Sequence, residues 1–223
     1  MEWTPIWLSL KLAAITTIIL LLIGIPIAYW LSRRSSMFKV IVEAILTMPL
    51  VLPPSVLGFY LLLAFSPNST FGIWLHHYFN ISLVFSFEGL IVASVIYSLP
   101  FMISPVKSAL VHLPASLTEA SYTMGKSKME TFYRVLLPNI KSSLYTAAVL
   151  TFAHTLGEFG VVLMIGGKLD GITKVASIAI YDAVDNNQYL EANQYSLVLF
   201  AITFVIVILV FIFNRNSARG PLE

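Results

Sequence analysis

Apolar residues run in long blocks along this chain, and the polar residues between them are few enough to read as connections. A helix that crosses a bilayer needs about 20 mainly apolar residues. Five stretches reach that length, residues 6–31, 40–65, 87–105, 144–165 and 195–213. The pattern predicts an all-α membrane protein, a polytopic bundle of about five transmembrane helices forming one domain over residues 1–223. Trp3 and Trp7 stand at one end of the first stretch and Tyr29 and Trp30 at the other. Trp7 and Trp30 lie roughly 34 Å apart along a helix, about the height of a bilayer core, as interfacial anchors should. Residues 66–86 carry Pro67, His76, His77 and Asn80 and hold no apolar run of spanning length, so they are expected outside the bilayer. Within them Phe71, Trp74, Leu75, Tyr78 and Phe79 recur at helical spacing, as in a helix lying on the membrane surface. No internal repeat is evident.

Composition agrees with this picture. Hydrophobic residues make up 58% of the 223 and charged residues 11%, against roughly 45–50% and about 25% in soluble domains. A net charge of +2 is too small to point to nucleic acid, and the absence of cysteine excludes disulfides and thiol chemistry. The first apolar stretch is too long, and too poor in preceding basic residues, for a cleavable signal peptide. The basic residues are sorted by connection. Arg33, Arg34 and Lys39 follow the first stretch; Lys107, Lys126, Lys128, Arg134 and Lys141 lie between the third and fourth; Arg215 and Arg219 follow the fifth. The positive-inside rule assigns that side to the cytoplasm. The N-terminus, residues 66–86 and residues 166–194 then lie outside, with only Lys168 and Lys174 opposing, and the number of spans is odd. Residues 214–223 read as a disordered cytoplasmic end.

The polar segment at residues 115–138 is patterned as a helical hairpin. Ser116 with Glu119, and Ser127 with Glu130, each fit a capping box, in which the serine and the glutamate three residues later satisfy free N–H groups at a helix start. Leu117, Ala120, Ser121 and Met124 would line one face of the first helix, and Met129, Phe132, Tyr133 and Leu136 one face of the second. Gly125 can close the first helix at positive φ, and Pro138 is expected to stop the second. Residue pattern alone also admits an amphipathic hairpin on lipid headgroups, which Lys126, Lys128 and Arg134 would favour. Glu119, Ala120, Ser121, Gly125, Val135, Leu137 and Pro138 together resemble the EAA loop of bacterial ABC importer permeases. That resemblance implies that the segment docks in a cleft of a separate ATPase and moves with it. Gly125-Lys126-Ser127 also ends like a phosphate-binding P-loop, but the required first glycine is Ala120 and no apolar strand precedes it.

Thr151, His154, Thr155 and Glu158 recur at i, i+3, i+4 and i+7 on the fourth stretch, one polar stripe on an otherwise apolar helix. A charged group in the bilayer costs about 2.5–3.5 kcal/mol on insertion scales, so the stripe should face protein or water. It serves either a pathway and its gate or hydrogen bonding between helices. In the second stretch Pro49, Pro53 and Pro54, with Ser55, remove backbone donors and break the helix, which membranes tolerate where protein or water satisfies the freed carbonyls.

Leu156-Gly157-Glu158-Phe159-Gly160, Ile165-Gly166-Gly167, the run from Ser177 to Asp182 and the proline segment from Met48 to Ser55 resemble the permeases of oxyanion importers for molybdate and sulfate, and most of all those for molybdate. The resemblance implies a permease subunit that pairs with a second copy, binds two ATPase subunits that carry ATP and Mg, and receives its anion from an extracytoplasmic binding protein. It places the chain, multi-pass, in a bacterial or archaeal cytoplasmic membrane. A tetrahedral dianion needs donors, so Glu158 is expected to fix a gate rather than touch the anion while ionised, and His154 to serve mainly as a packing partner. Sulfate, thiosulfate and tungstate are the rival substrates, and an ATP-independent channel or carrier the rival class.

No enzyme is expected. His76 and His77 are adjacent and diverge on a helix, His112 stands alone, and no metal-ligand motif is present. Glu43 and Glu88 read as hydrated or helix-start carboxylates, and Asp170, Asp182, Asp185 and Glu191 as solvated loop charges with a lesser prospect of meeting a docking protein.

Overall fold

The computed structural model describes residues 1–33 and 36–218, and among them there are helices and connections but no strand. Helix α1 (Thr4–Ser32) has Pro5 in its first turn, where a missing N–H leaves no bond unmade. Helix α2 (Met37–Thr47) is capped by the Ser36 hydroxyl and runs through a 3₁₀ turn (Met48–Leu50) into a break before α3 (Pro54–Phe65). Helix α4 (Thr70–Phe79) is capped by Ser69, which accepts from the Gly72 N–H at 2.8 Å, and closed by Asn80 at φ 53°. Helix α5 (Phe87–His112) follows. The hairpin comprises α6 (Ala115–Thr123), α7 (Lys128–Thr131), a π-helical turn (Phe132–Leu136) and α8 (Leu137–Asn139). The remaining helices are α9 (Lys141–Gly157), α10 (Gly160–Gly166), α11 (Ala176–Asp185) and α12 (Tyr189–Ala218).

Among the described residues three helices are long and apolar enough to span a membrane: α1, α5 and residues 189–209 of α12. Two further spans exist if each bent pair counts as one. The α2–α3 pair turns by 110° and the α9–α10 pair by 58°. Helix α1 packs along α5 and α9, with Leu20, Ala28 and Leu31 buried against Met102, Ile103, Val106 and Ala147. A second cluster joins Leu8 and Leu12 of α1 to Leu90, Val162, Val175 and Ile178. Most of the spanning part of α12 is exposed, as a lipid-facing helix would be, since hydrocarbon accepts an apolar side chain as well as protein does.

Several expectations change. Residues 166–194 are not one loop: α11 lies within them and buries Ala176, Ile178, Ala179 and Ala183. The backbone of residues 214–218 is helical rather than loose, because α12 runs on to Ala218. Residues 219–223, Arg34 and the side chain of Arg215 lie outside the described residues. Helix α4 forms where the aromatic spacing placed it, with Phe71, Trp74 and Tyr78 in successive ring contacts. Glu43 is not simply hydrated but ion-paired to Lys107 of α5. Glu88 lies in the first turn of α5, the favourable end for a negative charge.

Candidate translocation cleft and coupling hairpin

The two breaks meet. Pro53 and Pro54 deny α3 a continuous start from α2, and Pro54 sits directly against Gly160, the first residue of α10. A Cβ on Gly160 would lie 2.7 Å from the Pro54 Cβ, so the crossing requires glycine there. Around this crossing Pro54, Ser55, Tyr97, Ala153, His154, Gly157, Glu158, Phe159 and Gly160 line a cleft of about 680 Å³. It gathers His154, Glu158, Pro54 and Ser55 from the sequence pattern. Pro49 is buried in the 3₁₀ turn and Pro53 precedes α3, and neither lines the cleft.

The polar stripe is real but interrupted. Helix α9 ends at Gly157, and Glu158 adopts an extended conformation (φ −67°, ψ 137°), so its position owes nothing to an i+7 helical register. Its side chain is buried: Ser94 Oγ donates to Oε2 at 3.1 Å, while Oε1 has no partner among the described residues. The Glu158 backbone carbonyl accepts from Ser177 Oγ at 2.5 Å, which ties the break to α11. One turn earlier, Thr155 Oγ1 donates to the Thr151 carbonyl at 2.9 Å. Ser98 Oγ lies 3.0 Å from Thr155 Oγ1 and 3.1 Å from His154 Nδ1. The imidazole stacks on Phe101, ring centroids 3.9 Å apart, beside Tyr97 at 4.8 Å. Thr151 and Thr155 are buried between helices, so half of the stripe serves packing, and His154 and Glu158 reach the cleft. Ser94, Tyr97 and Ser98 were not singled out from the sequence, and Ser177 stood there only within a run that carries the resemblance. Ser94 and Ser98, four apart in an apolar helix, were the available signal, since that spacing puts both hydroxyls on one face.

The hairpin forms with its turn as expected. Gly125 has φ 77°, Lys126 N–H donates to the Ser121 carbonyl at 3.1 Å and Gly125 N–H to the Tyr122 carbonyl at 2.9 Å. That is the paired closure of a Schellman motif, which needs a residue free to be left-handed. The Ser127 hydroxyl accepts from the Glu130 N–H at 3.2 Å, half of the expected capping box. The Glu130 carboxylate instead pairs with Lys126 at 3.0 Å and Arg134 at 3.2 Å. The Lys126 ammonium, with Arg134 adding to it, holds that carboxylate below its ordinary range. Ser116 caps nothing, because Pro114, already extended, starts α6 at Ala115. Pro138 does not stop the second helix. It lies in the first turn of α8, directly after a π-helical turn that Leu137 N–H closes on the Phe132 carbonyl.

Burial also differs from the pattern. Ser121 and Thr131 are buried and joined Oγ to Oγ1 at 2.8 Å, clamping α6 to α7. Phe132 and Leu136 are buried, Phe132 against Tyr29 of α1 with ring centroids 4.3 Å apart. Met124 (68% exposed), Met129 (65%), Tyr133 and Ala120 face outward, where the spacing had them inside. Glu119 and Pro138 are exposed and Val135 and Leu137 half-buried. Glu119 also borders a cleft of about 340 Å³ between the hairpin, Tyr29 and Arg33.

Beyond the opposite end of α1, the acids expected to be solvated are paired. Asp182 lies 2.9 Å from Lys168 and 2.7 Å from Lys174; Asp170 pairs with Lys174 at 3.1 Å and Asp185 with Lys168 at 3.5 Å. Lys174 first, then Lys168, lowers the Asp182 carboxyl below its usual range. No group of three or more His, Asp or Glu placed to hold a metal exists among the described residues.

A multi-pass helical bundle with two broken helices around a cleft that His154 and Glu158 line, and an exposed hairpin on its flank, has the architecture of a membrane permease. The chain belongs to the family described as "Binding-protein-dependent transport system inner membrane component", whose profile matches residues 10–221. It is 39% identical over 217 residues to the molybdenum transport system permease protein ModB of Azotobacter vinelandii, covering 97% of this chain and 96% of that one. It is 30% identical to the putative molybdenum transport system permease protein YvgM of Bacillus subtilis (strain 168), over 92% of this chain and 90% of that one. It is also 30% identical to the probable sulfate transport system permease protein cysT of Chlorella vulgaris, over 95% and 79%. Among solved structures, a MetNI methionine ABC transporter chain in an inward-facing conformation aligns with a TM-score of 0.70 at 20% identity, covering 95% and 94%. A bacterial ABC transporter that imports alginate aligns with a TM-score of 0.77 at 17% identity, covering 96% and 78%. These last two similarities carry the fold alone.

Proposed function

We propose that this chain is the permease subunit of an ATP-driven importer for molybdate, with five spans, an outer N-terminus and a cytoplasmic hairpin. Relatedness along nearly the whole chain to permeases named for molybdenum carries the reading. In it, two copies enclose the route, two ATPase subunits supply ATP and Mg, and an extracytoplasmic binding protein delivers the anion. The sorting of basic residues supports the orientation. Closure of the ATPases moves residues 119–138, and through them α5 and α9, so that the cleft at the two breaks opens alternately to each side. Glu119, Ala120, Ser121, Gly125, Val135, Leu137 and Pro138 form the coupling segment, and Met124, Met129 and Tyr133 add the exposed apolar surface that a docking partner would bury.

Labelled molybdate uptake into vesicles holding permease, ATPase and binding protein tests this. Uptake is expected to require ATP and to fall less than twofold with equimolar sulfate. Uptake driven by a gradient alone overturns the importer reading, and strong inhibition by equimolar sulfate overturns the choice of molybdate. Gly125→Trp is expected to abolish stimulation of the ATPase by the permease; unchanged stimulation and uptake would remove the hairpin from the coupling path.

A further inference from the structure

The hydroxyl protons around His154 can be counted. A backbone carbonyl only accepts, so the Thr155 hydroxyl spends its one proton on the Thr151 carbonyl. Ser98 must then donate to Thr155 Oγ1 across their 3.0 Å contact. With the Ser98 proton committed, the 3.1 Å contact between Ser98 Oγ and His154 Nδ1 is filled when Nδ1 carries the hydrogen. A neutral His154 therefore holds its proton at Nδ1 and leaves Nε2 as a bare acceptor. The imidazole lines the cleft, and among the described residues no donor reaches Nε2.

Glu158 lines the same cleft with its carboxyl group buried: Ser94 donates to Oε2, and Oε1 meets no partner among the described residues. Among the described residues no Lys or Arg lines the cleft, and Tyr97 is its only other titratable group. Among the described side chains on the helices packed on α9, Lys11 of α1 lies over the Phe87 ring, Lys107 of α5 pairs with Glu43, Glu88 stands in the first turn of α5, and Glu191 of α12 faces the N-terminal amine. A cleft lined by a bare ring nitrogen and a carboxyl group, with no cation, offers an oxyanion nothing to offset the loss of its water.

We propose that the cleft is a proton-binding site at His154 Nε2, and that an oxyanion crosses only while that proton is bound. The step is a simple uptake: a proton from the adjoining water forms an N–H bond at Nε2 and returns to water after the anion has passed. It converts the ring from an acceptor to a donor and adds the positive charge that the cleft lacks. Phe101 and Tyr97, whose rings flank the imidazole, stabilise the cation by their π faces. His154 is thereby a specificity-determining residue, which goes beyond the packing role its position suggests. This rests on the oxyanion-import reading given above.

Two measurements test it. The other three histidines, His76, His77 and His112, are exposed, and replacing each by Asn leaves His154 as the single imidazole. ¹⁵N NMR of that protein in bilayers at pH 8 is expected to show a protonated Nδ1 and a bare Nε2, and Ser98→Ala to shift the balance toward the other tautomer. A proton on Nε2 in the neutral ring overturns the proposal without reference to transport. In reconstituted vesicles, molybdate carried per ATP hydrolysed is expected to fall at least fivefold from pH 6 to pH 8, and less than twofold in His154→Gln, whose amide donates at every pH. A parental pH profile in His154→Gln overturns the proton requirement alone. Absence of any ATP-driven uptake overturns the import reading and this requirement together.

Discussion

Removing the Ser94 hydroxyl would leave both carboxyl oxygens of Glu158 without a donor in a buried position. An unmade hydrogen bond to a buried group costs about 1–3 kcal/mol. Ser94→Ala is therefore expected to lower the thermal unfolding midpoint in detergent, and Ser94→Thr, which keeps the hydroxyl, to restore most of it. An unchanged midpoint in Ser94→Ala would mean that Glu158 finds another donor. Glu158 itself was visible in the sequence as an ionisable residue between two glycines. Its partners were not, because Ser94 and Ser177 lie 64 and 19 residues away in the chain and only packing brings their hydroxyls to it.

The hairpin shows which signals survive at the scale of an element. The turn was legible because positive φ at Gly125 and the Ser127 cap are local choices, decided within a few residues. Ser127→Ala is expected to destabilise the start of α7 by about 1 kcal/mol. Hydrogen exchange should register this as faster exchange at residues 128–131, with α5 unchanged; uniform loss of protection across both would point to a global role. The buried face was not legible. Period alone cannot say which side of a short helix meets the bundle, and the π turn at Phe132–Leu136 rotates the following residues out of an α-helical phase. Met124, Met129 and Tyr133 were accordingly expected inside and stand outside. Met124→Asp places a charge in that apolar patch. It should weaken ATPase association at least tenfold with little effect on the permease's own unfolding, as measured by co-purification against thermal shift.

For the whole molecule, the Lys168–Asp182–Lys174 cluster links the segment after α10 to α11, and α11 to α1 through the Ser9 hydroxyl, which accepts from the Ala176 N–H at 2.8 Å. The Asp182 carboxyl is held below its ordinary value of about 3.9. Its contribution is therefore complete above about pH 4 and is lost as pH falls through the lowered value. Asp182→Asn is expected to cost roughly 0.5–1 kcal/mol at pH 7, a modest figure because the pair is partly solvent-screened. The difference from the parent should vanish well below pH 4, as followed by unfolding midpoints across that range. A difference that persisted at low pH would assign the effect to packing.

The sequence by itself determined that this chain is a helical membrane protein, where its apolar stretches lie, and that a hairpin turns at Gly125, because length, hydropathy and backbone freedom act locally. Tertiary structure alone decided that the second and fourth stretches break and cross at Pro54 and Gly160. It also decided that Thr155, Ser98 and His154 form one chain of hydrogen bonds. A proline says that a backbone donor is missing, and a serine that a hydroxyl is present. Which acceptor each one meets is a matter of three-dimensional packing, and that is what leaves His154 facing the cleft with a free nitrogen.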